Sequence, residues 1–452
     1  MPQKRMAVPA FEFRRIAEDH REEITALAGD LVRIDTTNTG VMPTGNETEA
    51  ASYLQRTLRA AGIEADVWGR VPERGNLFAA LEGHSGRIGL VLVSHSDVVP
   101  AGDAAQWIHG PFGGVIADGH LHGRGAADMK GTVAAQTMAL ILLRRRNVPL
   151  AHTVGLVCVA DEEAGGAYGM GWVARAHPDR LRAACCLNEG GGSFVRVNGQ
   201  DWCLLGVGEK GRYEVAATFH GKGAHAARPW QGDNALYRAA TALALLRGYD
   251  HERDTSDPIF ALLSEVVGPV VPSTVDEVIV RLPRESARLA DHLKQVSRML
   301  ITPTLISGGV KSNSVPDSCR LTCDVRALPH QGPAYVEDLL RRLLPDADMR
   351  IDQTAVANSS PASADILEAA SDILHRIFER PIVAVPTLSG GFTDSRFIRE
   401  LGVRAYGWTP GHPESDPGRH HAHGPNEAVA IQDLVIQTAA YMEMAVRFAA
   451  AG

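Results

Sequence analysis

The sequence VLVSHSDVVP, residues 91–100, begins with aliphatic residues and then reaches His95, Ser96 and Asp97. Aliphatic runs without polar alternation are typical of strands that are buried on both faces of a sheet. Residues two apart on a strand point to the same side, so His95 and Asp97 leave the strand end in one direction. This pair fits either a metal ligand with the carboxylate that orients it, or a polar strand end in a loop.

Other strand-like runs alternate with helix-like stretches along the chain. The runs NLFAAL (residues 76–81), HTVGLVCVAD (152–161) and RAACCLNEG (182–190) are rich in apolar residues. Residues 11–34 and 131–146 have helical periodicity. Strands that alternate with helices predict an α/β domain, in which a central mixed sheet is flanked by helices.

The pattern changes near residue 206. RYEVAATFHG alternates like a half-exposed antiparallel strand, and residues 233–248 and 284–300 have helical periodicity. The length of 452 residues is also more than one hydrophobic core usually serves. We therefore expect a discontinuous α/β domain of residues 1–205 and 327–452, with an α+β domain of residues 206–326 inserted in it.

Composition narrows the classes of protein that this chain fits. A net charge of −8 favours neither a nucleic-acid nor an anionic-membrane partner. The sequence has no apolar run of about 18 residues, so no membrane span is expected, and the first twenty residues lack the apolar core of a signal peptide. Six cysteines are sparse for this length and predict reduced core thiols in a cytoplasmic protein.

Acidic residues follow the glycine-rich and strand-like stretches. In GRGAADMKG, Asp128 precedes an apolar helix and fits either a helix cap or a metal ligand. In CVADEEAGG, a strand ends at Asp161, Glu162 and Glu163, and three adjacent acids repel one another unless water or a cation relieves them. In CLNEGGG, Glu189 again follows an apolar strand.

Near the C-terminus, RHHAHGPNEAV places His423 four residues before Glu427, which fits a ligand or a histidine-rich surface loop. Ligands of α/β sheets bind outside the carboxyl ends of the strands, so the residues that follow strands are expected to converge there. Two histidines and three or more carboxylates suit zinc. The excess of carboxylates over one tetrahedron predicts two metals that share one carboxylate.

Together these motifs resemble the co-catalytic zinc peptidases of metallopeptidase family twenty. The stretches SHSDVVP, GRGAADMKG, ADEEAGG, LNEGG, GKGAHAARP, SGGFTDSRF and HGPNE occur in family order. This family includes aminoacylases, carboxypeptidase-S-like enzymes, acetylornithine deacetylases and succinyl-diaminopimelate desuccinylases, and the first two are the most similar in these motifs. The resemblance implies an inserted domain of ferredoxin-like type that carries a dimer contact or acts as a lid.

The resemblance also implies the metal site. It implies two zinc ions, with cobalt or manganese as possible substitutes, held by His95, Asp128, Glu163, Glu189 and His423. Asp128 is expected to bridge both ions and to precede a cis peptide bond to Met129. Asp97 is expected to orient His95 through the nitrogen that does not bind metal.

Further roles are implied by the same resemblance. Glu162 is expected to be the general base, and His225 is expected to stabilise the oxyanion in the active site of the other subunit of a homodimer. The residues expected to bind substrate are Asn313, Arg326, Gly390 and Thr393. For Arg326, which would hold the substrate carboxylate, a surface arginine at a strand end is the alternative.

The expected function is hydrolysis of the amide or peptide bond of a small N-acyl-amino acid or dipeptide-like substrate with a free carboxylate. A carbamoyl-amidase of the same fold and a non-catalytic binding protein are the alternatives, and Glu162 argues against the second because a dead site needs no free base. Residues 250–285 carry no interpretable motif. Phe392 stands where smaller residues are common in the family.

Overall fold

The computed structural model describes residues 12–282, 286–415 and 420–450. Its helices are α1 (Phe13–Asp19), α2 (Arg21–Arg33), α3 (Glu47–Ala60), α4 (Gly131–Arg145), α5 (Met170–Ala176), α6 (Ala235–Gly248), α7 (Pro258–Val267), α8 (Val275–Arg281), α9 (Ala287–Val296), α10 (Pro333–Leu343), α11 (Ala364–Phe378), α12 (Ser395–Glu400) and α13 (Ile431–Ala449). Its strands are β1 (Ala65–Gly69), β2 (Gly75–Leu81), β3 (Ile88–His95), β4 (Val115–Ala117), β5 (His120–His122), β6 (Thr153–Val159), β7 (Ala183–Asn188), β8 (Phe194–Val197), β9 (Gln200–Glu209), β10 (Gly211–His220), β11 (Ala224–His225), β12 (Leu300–Gly308), β13 (Ser314–Val315), β14 (Ser318–Ala327), β15 (Ala347–Ala355), β16 (Asn358–Ser359), β17 (Ile382–Ser389), β18 (Ala405–Gly407) and β19 (Ala428–Ala430).

The chain divides into two compact units. The first contains residues 1–207, 360–387 and 393–452, and the second contains residues 208–359 and 388–392.

The first unit is built on a mixed sheet in the order β1-β2-β6-β3-β7-β18-β9, and β8 and β17 also pair with β9. Strands β6, β3, β7 and β18 are parallel, whereas β1 and β2 are antiparallel to their neighbours. This arrangement confirms the mixed α/β sheet that the sequence predicts.

Helices cover both faces of this sheet, as the continuous apolar strands require. Leu90 and Leu92 of β3 join the core that includes α2, α3, α4, α11 and α13. Val91 and Val93, which point the other way, join the core that includes α5 and α12. Because alternate residues of β3 face different layers, both faces of the strand are apolar from Leu90 to Val93, and polar side chains begin only at Ser94.

The second unit is an antiparallel sheet in the order β12-β14-β10-β15 with helices on it. Ala235, Ala239, Ala242 and Leu246 of α6 recur at helical spacing in its core, together with Val336 of α10. Strand, helix, two strands, helix and strand, in this order, form the ferredoxin-like motif. The prediction of an α+β unit of this type is therefore confirmed.

The second unit extends further along the chain than the insert expected at residues 206–326. Residues 327–359, expected in the α/β domain, belong to the second unit. The reason is strand pairing: Ala347–Ala355 is antiparallel to β10 along its length, and Leu340 of α10 is buried in the same core. A ferredoxin-like sheet is incomplete without this last strand.

Several local expectations differ from the structure or lie partly outside it. The helix expected at residues 11–34 is two helices that meet at His20, and residue 11 lies outside the described part. The helix expected from residue 284 is described only as α9, since residues 283–285 are also outside that part. The segment without a motif contains α7 and α8.

The cysteines and the helices bear on two further expectations. All six cysteines are buried and none forms a disulfide, which confirms core thiols. Within the described ranges, no helix has both the length and the apolar character needed to cross a membrane.

Candidate metal centre

Three adjacent parallel strands bring the expected ligands to one edge of the sheet. His95 is the last residue of β3, Glu162 and Glu163 follow β6, and Glu189 directly follows β7. β3 lies between the other two strands, with His95 opposite Val159 of β6. Carboxyl ends of parallel strands share an edge, so the sequence positions after these strands converge as expected.

Asp128 lies between two histidines. Its Oδ1 is 3.2 Å from Nε2 of His95, and its Oδ2 is 3.2 Å from Nε2 of His423. His95 Nε2 is also 3.5 Å from Glu189 Oε1, and His423 Nε2 is 3.3 Å from Glu163 Oε2. The Asp128 carboxylate thus presents one oxygen to each of two clusters, each with one histidine and one glutamate.

A buried glutamate holds the loop that carries Asp128. Oε1 of Glu427 accepts the backbone N–H groups of Ala127 and Asp128, and Oε2 accepts the N–H of Gly125 and an N–H of Arg124 at 2.5 Å. The peptide between Asp128 and Met129 is cis, as the resemblance implies. Gly125 is required here because its φ is +83° and a Cβ would lie 2.5 Å from Val98.

Asp97 holds the turn that follows β6. Its Oδ1 accepts the backbone N–H of Glu162 at 3.0 Å, and its Oδ2 accepts that of Glu163 at 3.1 Å. His95 Nδ1 lies 3.1 Å from the backbone oxygen of Asp97 and 3.5 Å from Oδ1. The carboxylate therefore orients the Glu162–Glu163 turn, and the backbone oxygen is the nearer partner of the histidine.

The carboxylates of the site raise the pKa of both histidines, because they stabilise the positively charged imidazolium form. Hydrogen bonds that His423 donates to the carboxylates of Asp128 and Glu163 raise the pKa of His423 to about 10. Burial alone would lower the pKa of His95, but the charge of Glu189 and the bond to Asp128 raise it well above the ordinary value.

The acids of the site have raised pKa values, because burial and neighbouring negative charges disfavour their ionised forms. Burial, with the charge of Asp128, raises the pKa of Glu189 to about 7. Burial and the charge of Glu189 raise the pKa of Glu162 well above its ordinary value. Burial also raises the pKa of Asp394, at the start of α12, to about 8. Such clusters of shifted acids are typical of functional sites.

The residues fit divalent cations. Ligand atoms of His95, Asp128 and Glu163, and those of His95, Glu162 and Glu189, form two groups whose atoms lie within 4.8 Å of one another. Glu163 Oε1 is buried without a hydrogen-bond partner in the described structure. Imidazole nitrogens combined with carboxylate oxygens are the donors that zinc and its neighbours accept.

Comparisons with known proteins identify the family of this chain. The sequence pattern of Peptidase family M20/M25/M40 matches residues 91–447. This chain belongs to that family. It is 30% identical to a succinyl-diaminopimelate desuccinylase of Rhodospirillum centenum over 434 residues, which cover 92% of this chain and 95% of that protein.

Solved structures share the fold. An M20-family metallo-carboxypeptidase of Sulfolobus solfataricus has a TM-score of 0.72 at 19% identity, with 94% of this chain and 99% of that chain covered. A dinuclear-metal-binding M20 peptidase of Bacillus subtilis has a TM-score of 0.59 at 16% identity, with 95% and 98% covered. The chain is a hydrolase of amide bonds, and the expectation of an enzyme of this family is confirmed.

Four predicted residues lie in the second unit. The strand pair β11–β13 sets His225 opposite Ser314, next to the exposed Asn313. Arg326 bonds Asp324 through Nε at 2.6 Å, and its guanidinium carbon lies 5.9 Å from the ring centre of Phe392. Gly390 has close packing, since a Cβ there would lie 2.0 Å from the Gln295 amide.

Thr393 belongs to the first unit and is buried. Its hydroxyl lies 3.3 Å from Nδ2 of Asn188, and it accepts the N–H of Ser395 at 3.1 Å. These bonds support a role of Thr393 in holding the start of α12. Its expected role in lining the substrate pocket stays a prediction.

Some residues that shape the site carried no role in the sequence interpretation. The sequence motifs include Glu427 without a role of its own, and they assign no role to Asn38, Glu47 and Arg74. Each is a charged or amide side chain with at most 4% exposure. The available signal was weak, because a polar residue in a loop or at a helix start is usually solvated.

Proposed function

We propose that this chain is a dinuclear zinc amidohydrolase that cleaves the amide bond of an N-acyl-amino acid or a dipeptide-like substrate with a free carboxylate. The observation that carries the proposal is the Asp128 carboxylate between His95 and His423, with Glu189 and Glu163 on either side. An additional acid, Glu162, belongs to the same cluster. Solved relatives of this fold include a dinuclear metal-binding peptidase.

His95, Asp128 and Glu189 would hold one cation, and Asp128, Glu163 and His423 would hold the other. Cations in such sites polarise a carbonyl group and lower the pKa of water from 15.7 to about 7. The remaining catalytic roles are proposed for side chains of the protein.

Glu162 is the general base. Its backbone N–H donates to Asp97, and a carboxylate oxygen of Glu162 lies in one group with ligand atoms of His95 and Glu189. The carboxylate accepts a proton from the attacking water and later donates it to the leaving amine nitrogen. Burial raises the pKa of Glu162, which is the usual way in which a carboxyl group is adapted to both steps.

His225 donates a hydrogen bond to the developing oxyanion of a substrate that the other subunit holds. Its ring is exposed, and its Nδ1 accepts the backbone N–H of Ala227 at 3.0 Å. A neutral imidazole that accepts at Nδ1 carries its proton on Nε2. The local hydrogen bond therefore supports a ring that donates outward.

The second unit has the features of a dimer surface. β12 is an edge strand, and its Leu305 and Ile306 are exposed. Trp230, which precedes α6, and Tyr237, in the first turn of α6, are more than 70% exposed. Exposed apolar side chains beside an unpaired strand edge favour pairing with a second copy of the chain.

Anionic substrates fit the charges of the second unit. Asp324 accepts from Arg212 at 2.8 Å and from Arg326 at 2.6 Å, and both guanidinium groups lie 5.9 Å from the ring centre of Phe392. Two arginines against one aspartate leave a net positive charge, and an arginine fork suits a carboxylate. The desuccinylase similarity supports N-succinyl-amino acids as members of the substrate class.

A substrate panel tests the proposal. N-succinyl-, N-acetyl- and N-carbamoyl-amino acids and dipeptides would be incubated with the protein, and the released amine measured with ninhydrin, with and without chelator. The expected result is chelator-sensitive hydrolysis of N-acyl substrates that carry a free carboxylate, and weak hydrolysis of their methyl esters. Hydrolysis confined to N-carbamoyl substrates, or equal hydrolysis of the methyl esters, would contradict the proposal.

A further inference from the structure

A group of buried polar side chains contacts Asp97 and Asp161. It consists of Asn38, Glu47 and Arg74, which we call the support group. Arg74 and Glu47 are at most 1% exposed, and Asn38 is 4% exposed. Burying a charge is costly unless it is paired, so a guanidinium at this depth needs an explanation.

The Asn38 amide connects two acidic side chains to the Arg74 guanidinium. Its Nδ2 donates to Asp97 Oδ2 at 2.9 Å and to Asp161 Oδ1 at 3.2 Å. Its Oδ1 accepts from Arg74 Nη2 and from the N–H of Gly40, both at 2.9 Å. Both donors and both acceptor positions are used, so the orientation of the amide is determined by its partners.

Arg74 is held in turn by Glu47. Arg74 Nη1 lies 2.5 Å from Glu47 Oε1 and 3.8 Å from Asp161 Oδ1. Gly45 closes over the pair, because a Cβ there would lie 2.2 Å from Arg74 Nη1 and 2.4 Å from Glu47 Oε2. The guanidinium therefore has little freedom to turn away from Asn38.

The two acids that Asn38 binds control the turn after β6. Asp97 accepts the backbone N–H groups of the two glutamates, as described above. Asp161 starts the turn in the left-handed region with φ of 66°, and its backbone oxygen accepts the N–H of Gly166 at 2.6 Å. Oδ2 of Asp161 accepts the N–H of Tyr168 at 2.9 Å. The backbone N–H of Asp161 donates to Glu47 Oε1 at 3.2 Å.

We propose that Asn38, backed by Arg74, is a positioning residue for both the base and the metal. It keeps the carboxylates of Asp97 and Asp161 aimed at the turn, and the turn places Glu162 and Glu163. Without its two N–H donors, two buried acids would face each other with no bridge, and like charges at short range repel. The inference rests on the proposed function, since it concerns the roles proposed for the two glutamates.

The substitution Asn38→Asp tests this proposal. It keeps the size and the oxygen that faces Arg74, but it replaces both donors with an acceptor that faces Asp97 and Asp161. Residues that orient metal ligands typically contribute about 10–100-fold to affinity or activity. We expect the zinc affinity of metal-free protein, measured by competition with a fluorescent chelator, to fall by about this factor, and kcat to fall similarly with KM within about threefold.

Asn38→Ser is the second variant, because it replaces the two amide donors with one shorter hydroxyl, adds no charge and so guards against a failure of Asn38→Asp to fold. It should shift zinc affinity and kcat in the same direction by a smaller factor. Asn76→Asp is the matched control. Asn76 is equally buried, but its Nδ2 donates only to backbone oxygens of Trp68, Arg74 and Tyr168.

In Asn76→Asp the oxygen that accepts the N–H of Ala160 is retained. The control should therefore lower Tm, as any new buried charge does, while zinc affinity and kcat stay within about threefold of wild type. Wild-type zinc affinity and kcat in a folded Asn38→Ser protein would overturn the proposal, as would equal losses in Asn38→Asp and Asn76→Asp. Absence of zinc binding by the wild-type protein would instead refute the proposed function, and this inference with it.

Discussion

The adjacent acids Glu162 and Glu163 allow a paired test of the proposed roles, because the same change at each position should have a different outcome. Glu→Gln keeps the shape of the side chain and removes its charge. The backbone N–H of each residue bonds Asp97, and neither bond involves the side chain that is changed. The turn should therefore keep its conformation in both variants.

For Glu162→Gln, the expected loss is that of a general base, about 10²–10⁴-fold in kcat. At 1.36 kcal/mol per decade, this corresponds to about 2.7–5.4 kcal/mol of transition-state stabilisation. The Nε2 atoms of His95 and His423 contact other carboxylates, at 3.2–3.5 Å, so both cations should still bind. KM should change little, because proton transfer matters only in the transition state.

For Glu163→Gln, the expected primary loss is of metal. Glu163 Oε2 lies 3.3 Å from His423 Nε2, and the other oxygen is buried without a hydrogen bond. Removing an anionic ligand should cost at least the roughly 10–100-fold in affinity that residues behind a ligand contribute. The zinc content should fall from two towards one per chain, and added zinc should restore part of the activity.

The assay combines elemental analysis with steady-state kinetics on the best substrate of the panel. Glu162→Gln with two zinc ions and turnover within threefold of wild type would refute its role as base. If Glu162→Gln lost zinc and Glu163→Gln kept it, the two assignments would have to be exchanged.

Three further predictions concern the metal, the dimer and a buried lysine. Chelation should abolish activity, and zinc, cobalt or manganese should restore it; active protein without bound metal in elemental analysis would contradict this. His225→Ala should lower kcat by about 10²–10³-fold. Mixing this variant with Glu162→Ala should restore up to about a quarter of wild-type activity, because random pairing leaves one intact site in half of the dimers. No recovery despite confirmed hybrid dimers would show that His225 does not act between subunits. Burial, with the nearby arginines Arg326 and Arg298, lowers the pKa of Lys210 to about 7. Because the unfolded chain keeps this proton up to the ordinary lysine pKa near 10.4, the free energy of unfolding should rise with pH from about 7 to 10. Lys210→Met should flatten this rise in a series of Tm measurements, and an unchanged slope would contradict the pKa shift.

Local patterns were sufficient to predict much of the fold and the cluster. The strand before His95 was recognisable because residues 88–93 form a continuous apolar run, and the parallel order of β6, β3 and β7 then places Glu189 beside it. The extent of the second unit was not recognisable in the same way. Strand β15 alternates between half-buried and exposed residues, and only its pairing with β10 assigns it to that unit.

The supporting residues were missed for a different reason. Asn38 and Arg74 lie 36 positions apart, on a loop and just before a strand, and neither position has a hydrophobic period that marks it as buried. Their burial results from how α2, α3 and β2 pack together, which is a property of the fold and not of either segment. A sequence pattern identifies residues of unusual chemistry more readily than the partners that hold them.

Glu427 shows why such partners matter for the chemistry. Its carboxylate accepts four N–H groups, two of them from the peptide units of Ala127 and Asp128. The backbone of Asp128 is therefore held by hydrogen bonds within the chain, and its two carboxylate oxygens face the two histidines. Since a ligand that is already in place loses little freedom on binding, the affinity of the proposed metal site depends on Glu427, although this residue lies outside the ligand set.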